Sequence, residues 1–86
     1  MKVLIVEDES AAVRRLQKLL GDIDLGIEIL GAVSSIESAV EWLMAHPAPD
    51  VILMDIHLAD GSSFDIFQKV DITSPVIFAT AYDEYA

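Results

Sequence analysis

Four short apolar runs, separated by stretches with helical spacing, constrain this chain more than any other feature. Val3-Leu4-Ile5-Val6 and Val51-Ile52-Leu53-Met54 show no alternation of apolar and polar residues. Such runs suit strands buried on both faces, as in a parallel sheet covered by helices. Ile27 to Val33 is less uniformly apolar, so it is expected nearer a sheet edge. Pro75 to Thr80 is the fourth strand, with proline at its first position, where a missing N–H costs least. The order βαβαβαβ predicts a parallel sheet with helices on both faces and right-handed crossovers. Open sheets of this kind bind ligands at the carboxyl ends of their strands.

The intervening segments carry their own signals. Ala12, Val13, Leu16, Leu19 and Leu20 line one side of a first helix, with Arg14, Arg15 and Lys18 on the other. Gly21 is expected to stop it. Ser34 with Glu37 has the capping-box spacing for a second helix, which Pro47 and Pro49 end. Trp42 on that helix is expected to pack while partly exposed. Asp60-Gly61 is a turn signal, and Ser62 with Asp65 predicts a short third helix through about Val70. Phe64 and Phe67 are expected to pack that helix on the sheet. Tyr82 to Ala86 reads as the start of another helix.

Composition then excludes several classes of function. Five Lys+Arg against fifteen Asp+Glu give a formal charge of −10. An acidic surface repels phosphate backbones and anionic membranes, so neither is expected as a direct partner. The chain has no cysteine, hence no disulfide framework, thiolate zinc site or cysteine nucleophile. His46 and His57 lack the spacing of a local metal site. No apolar run approaches the ~18 residues of a membrane span, and Glu7-Asp8-Glu9 interrupts the first run too early for a signal peptide. A cytoplasmic protein is expected. Counting glycine and omitting tyrosine, 48 of 86 residues are apolar, about 56% where roughly 45–50% is usual. That excess, in a chain so short, suggests a domain missing a piece.

The strand ends hold the chemistry. Glu7-Asp8 follow the first strand, Asp55 the third, and Thr80-Ala81 the fourth. If strands one and three are neighbours, three carboxylates converge, and each raises the others' pKa. A hard divalent cation relieves that repulsion. Mg²⁺ suits a few carboxylates with water and phosphate oxygens completing its shell. A rigidly held Asp55 beside such an ion could attack a phosphoryl group and become an aspartyl phosphate. Thr80 offers a hydroxyl to a phosphoryl oxygen. Glu9 reads as a solvated residue capping the next helix.

These segments together resemble the receiver domain of two-component response regulators. The resemblance is carried by Val3-Leu4-Ile5-Val6-Glu7-Asp8-Glu9, Val51-Ile52-Leu53-Met54-Asp55-Ile56, Asp60-Gly61 and Ile77-Phe78-Ala79-Thr80-Ala81. It implies a flavodoxin-like α/β fold with strand order 2-1-3-4, in which residues 1–86 form a receiver domain lacking its fifth strand and last helices. It implies that Asp55 is the phosphoacceptor, Thr80 the switch hydroxyl and Ala81 the small residue leaving room for the phosphoryl group. For Mg²⁺ it implies Asp8, Asp55 and the backbone carbonyl of His57 as ligands, with Glu7 acting through water. The implied phosphodonor is a sensor histidine kinase. The loops Leu58 to Phe64 and Thr80 to Ala86 further resemble regulators with a LytTR-type output domain, through which alone DNA would be bound. Enzymatic activity is expected only as self-phosphorylation and slow autodephosphorylation.

Three departures stand out. Ala59 replaces a frequent proline. His57 and Tyr82 occupy positions that influence phosphate loss in the family, and His57 reads foremost as a solvated residue at the mouth of the site. No residue matches the family's lysine on the fifth strand, since Lys69 precedes strand four. Losing strand five would also leave strand four an edge, so self-association is expected. Competing readings are weaker. A haloacid-dehalogenase-type enzyme wants an acid where His57 stands, and a flavin binder wants a phosphate loop where Glu7-Asp8-Glu9 stand. A receiver-like interaction module that is never phosphorylated is the remaining alternative.

Overall fold

The structure, a computed structural model, describes residues 1–79 of the chain. Strand β1 (Lys2–Val6) leads into helix α1 (Ser10–Ile23), β2 (Glu28–Val33), α2 (Ile36–Ala45) and β3 (Val51–Met54). A short hairpin follows, β4 (His57–Leu58) and β5 (Gly61–Ser62), then a single 3₁₀ turn, α3 (Ile66–Lys69) and β6 (Val76–Phe78). The four main strands pair in parallel in the order β2-β1-β3-β6. The sheet is therefore the flavodoxin-like arrangement with order 2-1-3-4, counting β6 as the fourth main strand. No helix among the described residues is long and apolar enough to cross a membrane.

The two uniformly apolar runs form the inner strands, and the mixed one, β2, is an edge. The pleat sends alternate residues to opposite faces. Leu4, Val6, Ile52 and Met54 share a core with Ile36 and Ala39 of α2, Leu58 of β4 and Ile66 of α3. Val3 and Ile5, on the alternate positions of β1, are also buried. Helix α1 buries only Ala12 completely, and Leu19 stays half exposed.

Several local expectations shift. Helix α1 runs two residues past Gly21 and is capped at Asp24, whose N–H donates to the Leu20 carbonyl at 3.1 Å. Gly21 has no positive φ among the described residues, so it does not form the left-handed stop that glycine permits. The N-cap of α2 is Ser35 rather than Ser34, with Ser38 rather than Glu37 closing the box. The third helix splits. Ser62 caps a 3₁₀ turn from Ser63 to Asp65, its Oγ accepting from Phe64 N–H, and α-helix begins only at Ile66. Ile66, not the two phenylalanines, packs that helix into the core. Phe64 and Phe67 do meet the sheet, flanking Phe78 on its edge strand β6 with ring centroids 5.2 and 6.4 Å away, but all three stay 40–51% exposed. Trp42 packs partly buried against the core and stacks on His46 at 4.2 Å. The segment Tyr82 to Ala86 lies outside the described residues.

Candidate functional site

Parallel pairing of β1 with β3, in a register that sets Val6 opposite Met54, brings two strand ends side by side. The residue after each end continues the ladder. Asp55 N–H donates to the Val6 carbonyl and Glu7 N–H to the Val33 carbonyl, both at 2.9 Å. The main chain carrying these acids is thus held by the sheet. Carboxylate oxygens of Glu7, Asp8 and Asp55 all lie within 4.8 Å of one another. Asp8 is exposed, Asp55 is half-buried and Glu7 is buried.

That crowding shows in Glu7. Burial, then a side-chain hydrogen bond and negative charge from Asp55, push its carboxyl from the usual 4.5 up to about 7. One backbone donor works the other way, Glu9 N–H reaching Glu7 Oε1 at 3.3 Å. Near neutral pH the site is thus an electrostatic compromise in which Glu7 is poised between its two protonation states. A hard cation removes the need for that proton, and an all-oxygen donor set with one exposed member fits such an ion with water in its shell.

The other expected residues fall into two groups. His57 opens β4, two residues after Asp55, and is exposed. Thr80 and Ala81 lie outside the described residues. The strand leading to them ends at the same sheet edge, since Ala79 N–H donates to the Met54 carbonyl at 2.9 Å. Glu9 occupies the N-cap position of α1 but makes no side-chain capping bond.

Sequence reasoning missed one residue. Asp60, read as a turn signal and as part of the receiver resemblance but given no bonding role, accepts the N–H groups of Ile36 and Glu37 at 2.8 and 3.3 Å. The Ile36 bond, foremost, holds its carboxyl below the usual range. No local pattern could have announced this, because the partners are 23 and 24 residues away.

Comparison with known proteins agrees with this geometry. The sequence profile of the response regulator receiver domain matches residues 3–86. Sensory transduction protein LytT of Bacillus anthracis is 39% identical over 89 aligned residues, covering 100% of this chain and 35% of that protein. Sensory transduction protein LytR of Staphylococcus haemolyticus is 38% identical, with 100% and 34% covered. The chain therefore spans about a third of the length of these curated relatives. Among solved structures, the response regulator PhyR from Brucella abortus superposes with a TM-score of 0.79 at 32% identity, over 94% of this chain and 33% of that one. The MaeR response regulator bound to beryllium trifluoride gives a TM-score of 0.79 at 27% identity, over 99% of this chain and 70% of that one. With a family profile spanning nearly its whole length and the acidic strand ends brought together, the chain belongs to the response regulator receiver domain family.

Proposed function

We propose that this chain accepts a phosphoryl group on Asp55, with Mg²⁺ held by Asp8, Asp55 and the His57 backbone carbonyl, and by Glu7 through water. The observation that carries this reading is the meeting of three carboxylates at the ends of two paired strands. A bound divalent cation supplies charge neutralisation between nucleophile and phosphate. The chain's own part is to present one Asp55 oxygen from a main chain fixed by Val6. The new bond joins that oxygen to phosphorus as the P–N bond of a phosphohistidine donor breaks, its electron pair returning to the imidazole. Thr80 donates its hydroxyl to a phosphoryl oxygen, and Ala81 leaves that oxygen room.

Receiver domains interact with histidine kinases, so a sensor kinase is the donor. Residues 1–86 act as the receiver part of a cytoplasmic regulator that passes the signal to a LytTR-type DNA-binding domain, in keeping with the LytT and LytR relatives. Turnover is limited to self-phosphorylation and slow loss of the phosphate.

Incubation with acetyl phosphate and Mg²⁺, followed by intact-mass measurement, tests the reading. One phosphoryl adduct, labile to hydroxylamine, is expected. Its persistence in Asp55→Asn would overturn the assignment, and an unmodified wild type would favour a phosphorylation-independent interaction module. Asp8→Ala should weaken Mg²⁺ binding more than Glu7→Ala, and equal losses would show the direct and water-mediated roles to be misassigned.

A further inference from the structure

Helix α2 opens with four backbone N–H groups that have no partner within the helix ladder. Ser35 and Ser38 satisfy two of them reciprocally, each N–H donating to the other's Oγ at 3.0 Å. The remaining two, of Ile36 and Glu37, are taken by the Asp60 carboxylate. Asp60 sits in the turn of the β4–β5 hairpin, and that hairpin starts at His57, two residues after Asp55.

Among the described residues, the hairpin ladder is formed by His57 opposite Ser62 and Leu58 opposite Gly61. A two-stranded hairpin is at best marginal alone, and this one is shorter than most. Its base is held by Leu58, buried in the core, and by Ser63 N–H donating to the Ile56 carbonyl at 2.8 Å. Its tip is held by Asp60. Gly61 allows the tip to lie against α2: its φ is +137°, and a Cβ there would come 3.3 Å from Ile36 Cδ1.

We propose that Asp60 is a positioning residue for the acidic site, clamping the hairpin tip to α2 and so fixing the His57 main chain relative to Asp8 and Asp55. The inference rests on the reading of the His57 carbonyl as a metal ligand. Asp60 touches no reacting group and acts through the hairpin backbone. Mg²⁺ demands near-ideal octahedral geometry, so a carbonyl that wanders weakens its binding.

Ser35 provides the control. It caps the same helix, but among the described residues its side chain bonds to Ser38 and not to the hairpin. Mg²⁺ titration of the 86-residue chain, by calorimetry on the wild type, Asp60→Ala, Asp60→Asn and Ser35→Ala, separates capping from positioning. Loss of outer-shell support at metal sites typically costs 10–100-fold, and an indirect clamp is expected to cost about three- to tenfold in Asp60→Ala. Asp60→Asn keeps one acceptor and should lose less, and it carries the comparison if Asp60→Ala does not fold. Ser35→Ala should lower the melting temperature and leave the Mg²⁺ affinity unchanged. Without metal, hydrogen exchange at the Ser63 amide should quicken in Asp60→Ala and not in Ser35→Ala. Unchanged Mg²⁺ affinity in Asp60→Ala and Asp60→Asn, or an equal loss in Ser35→Ala, overturns the positioning role alone. A wild type that binds no Mg²⁺ overturns the metal reading and this inference with it.

Discussion

Glu7 shows how one side chain ties folding to the site. Its carboxyl is raised to about 7 by burial and by Asp55. Between the usual 4.5 and that value, the folded chain holds a proton that the unfolded chain has released. Stability therefore falls as pH rises through that window, by at most about 3 kcal/mol from this residue. Denaturant melts at pH 5 and pH 8 should show the loss, and Glu7→Gln should flatten it. Mg²⁺ favours the ionised carboxylate, so it should raise the melting temperature more at pH 8 than at pH 5. Ser63 offers a second residue-scale test. It is fully buried, and its Oγ has no hydrogen-bond partner among the described residues. Ser63→Ala removes an unmet polar group and should stabilise by up to ~1 kcal/mol in denaturant melts.

At the scale of elements, the main strands and two long helices were legible because their patterns are local. A run of β-branched and aliphatic residues, or an apolar stripe at helical spacing, carries its own period. Boundaries were less legible. Gly21 looked like a stop, yet α1 continues to Ile23. The β4–β5 hairpin was missed because two residues a side carry no period, and the third helix begins late because Ser62 caps a 3₁₀ turn first. Gly61→Ala should destabilise by about 1–3 kcal/mol, since its φ is +137° and Ile36 stands in the way of a Cβ. In the third helix, Ile66→Ala should cost roughly 2–5 kcal/mol because Ile66 is fully buried. Phe67→Ala should cost well under half as much, since that ring is 40% exposed. Chemical denaturation of the three variants ranks them.

At the scale of the whole molecule, β6 is an edge of the described sheet, with Ile77 55% and Phe78 40% exposed. Edge strands with free backbone groups and apolar side chains template pairing with another chain. The charge of −10 opposes this, though weakly beyond a Debye length of about 8 Å in physiological salt. The 86-residue chain is therefore expected to self-associate at ~100 μM, and more strongly as salt screens the charge. Sedimentation velocity at two ionic strengths checks this. A monomer in both would show that the edge is protected.

By itself, the sequence determined where the strands run and which acids terminate them, because both follow from short-range pattern and from the abrupt change from apolar to acidic at Glu7 and Asp55. It also supported a parallel sheet, because alternating strand and helix with short connections leaves few other topologies, while the order 2-1-3-4 was implied by the resemblance to receiver domains. Only the tertiary structure decided that Glu7 is buried while Asp8 is exposed, that Ile66 rather than its phenylalanine neighbours reaches the core, and that Asp60 closes the start of α2. The first depends on the β1–β3 register, and all three on groups more than twenty residues apart along the chain, where local pattern carries no information.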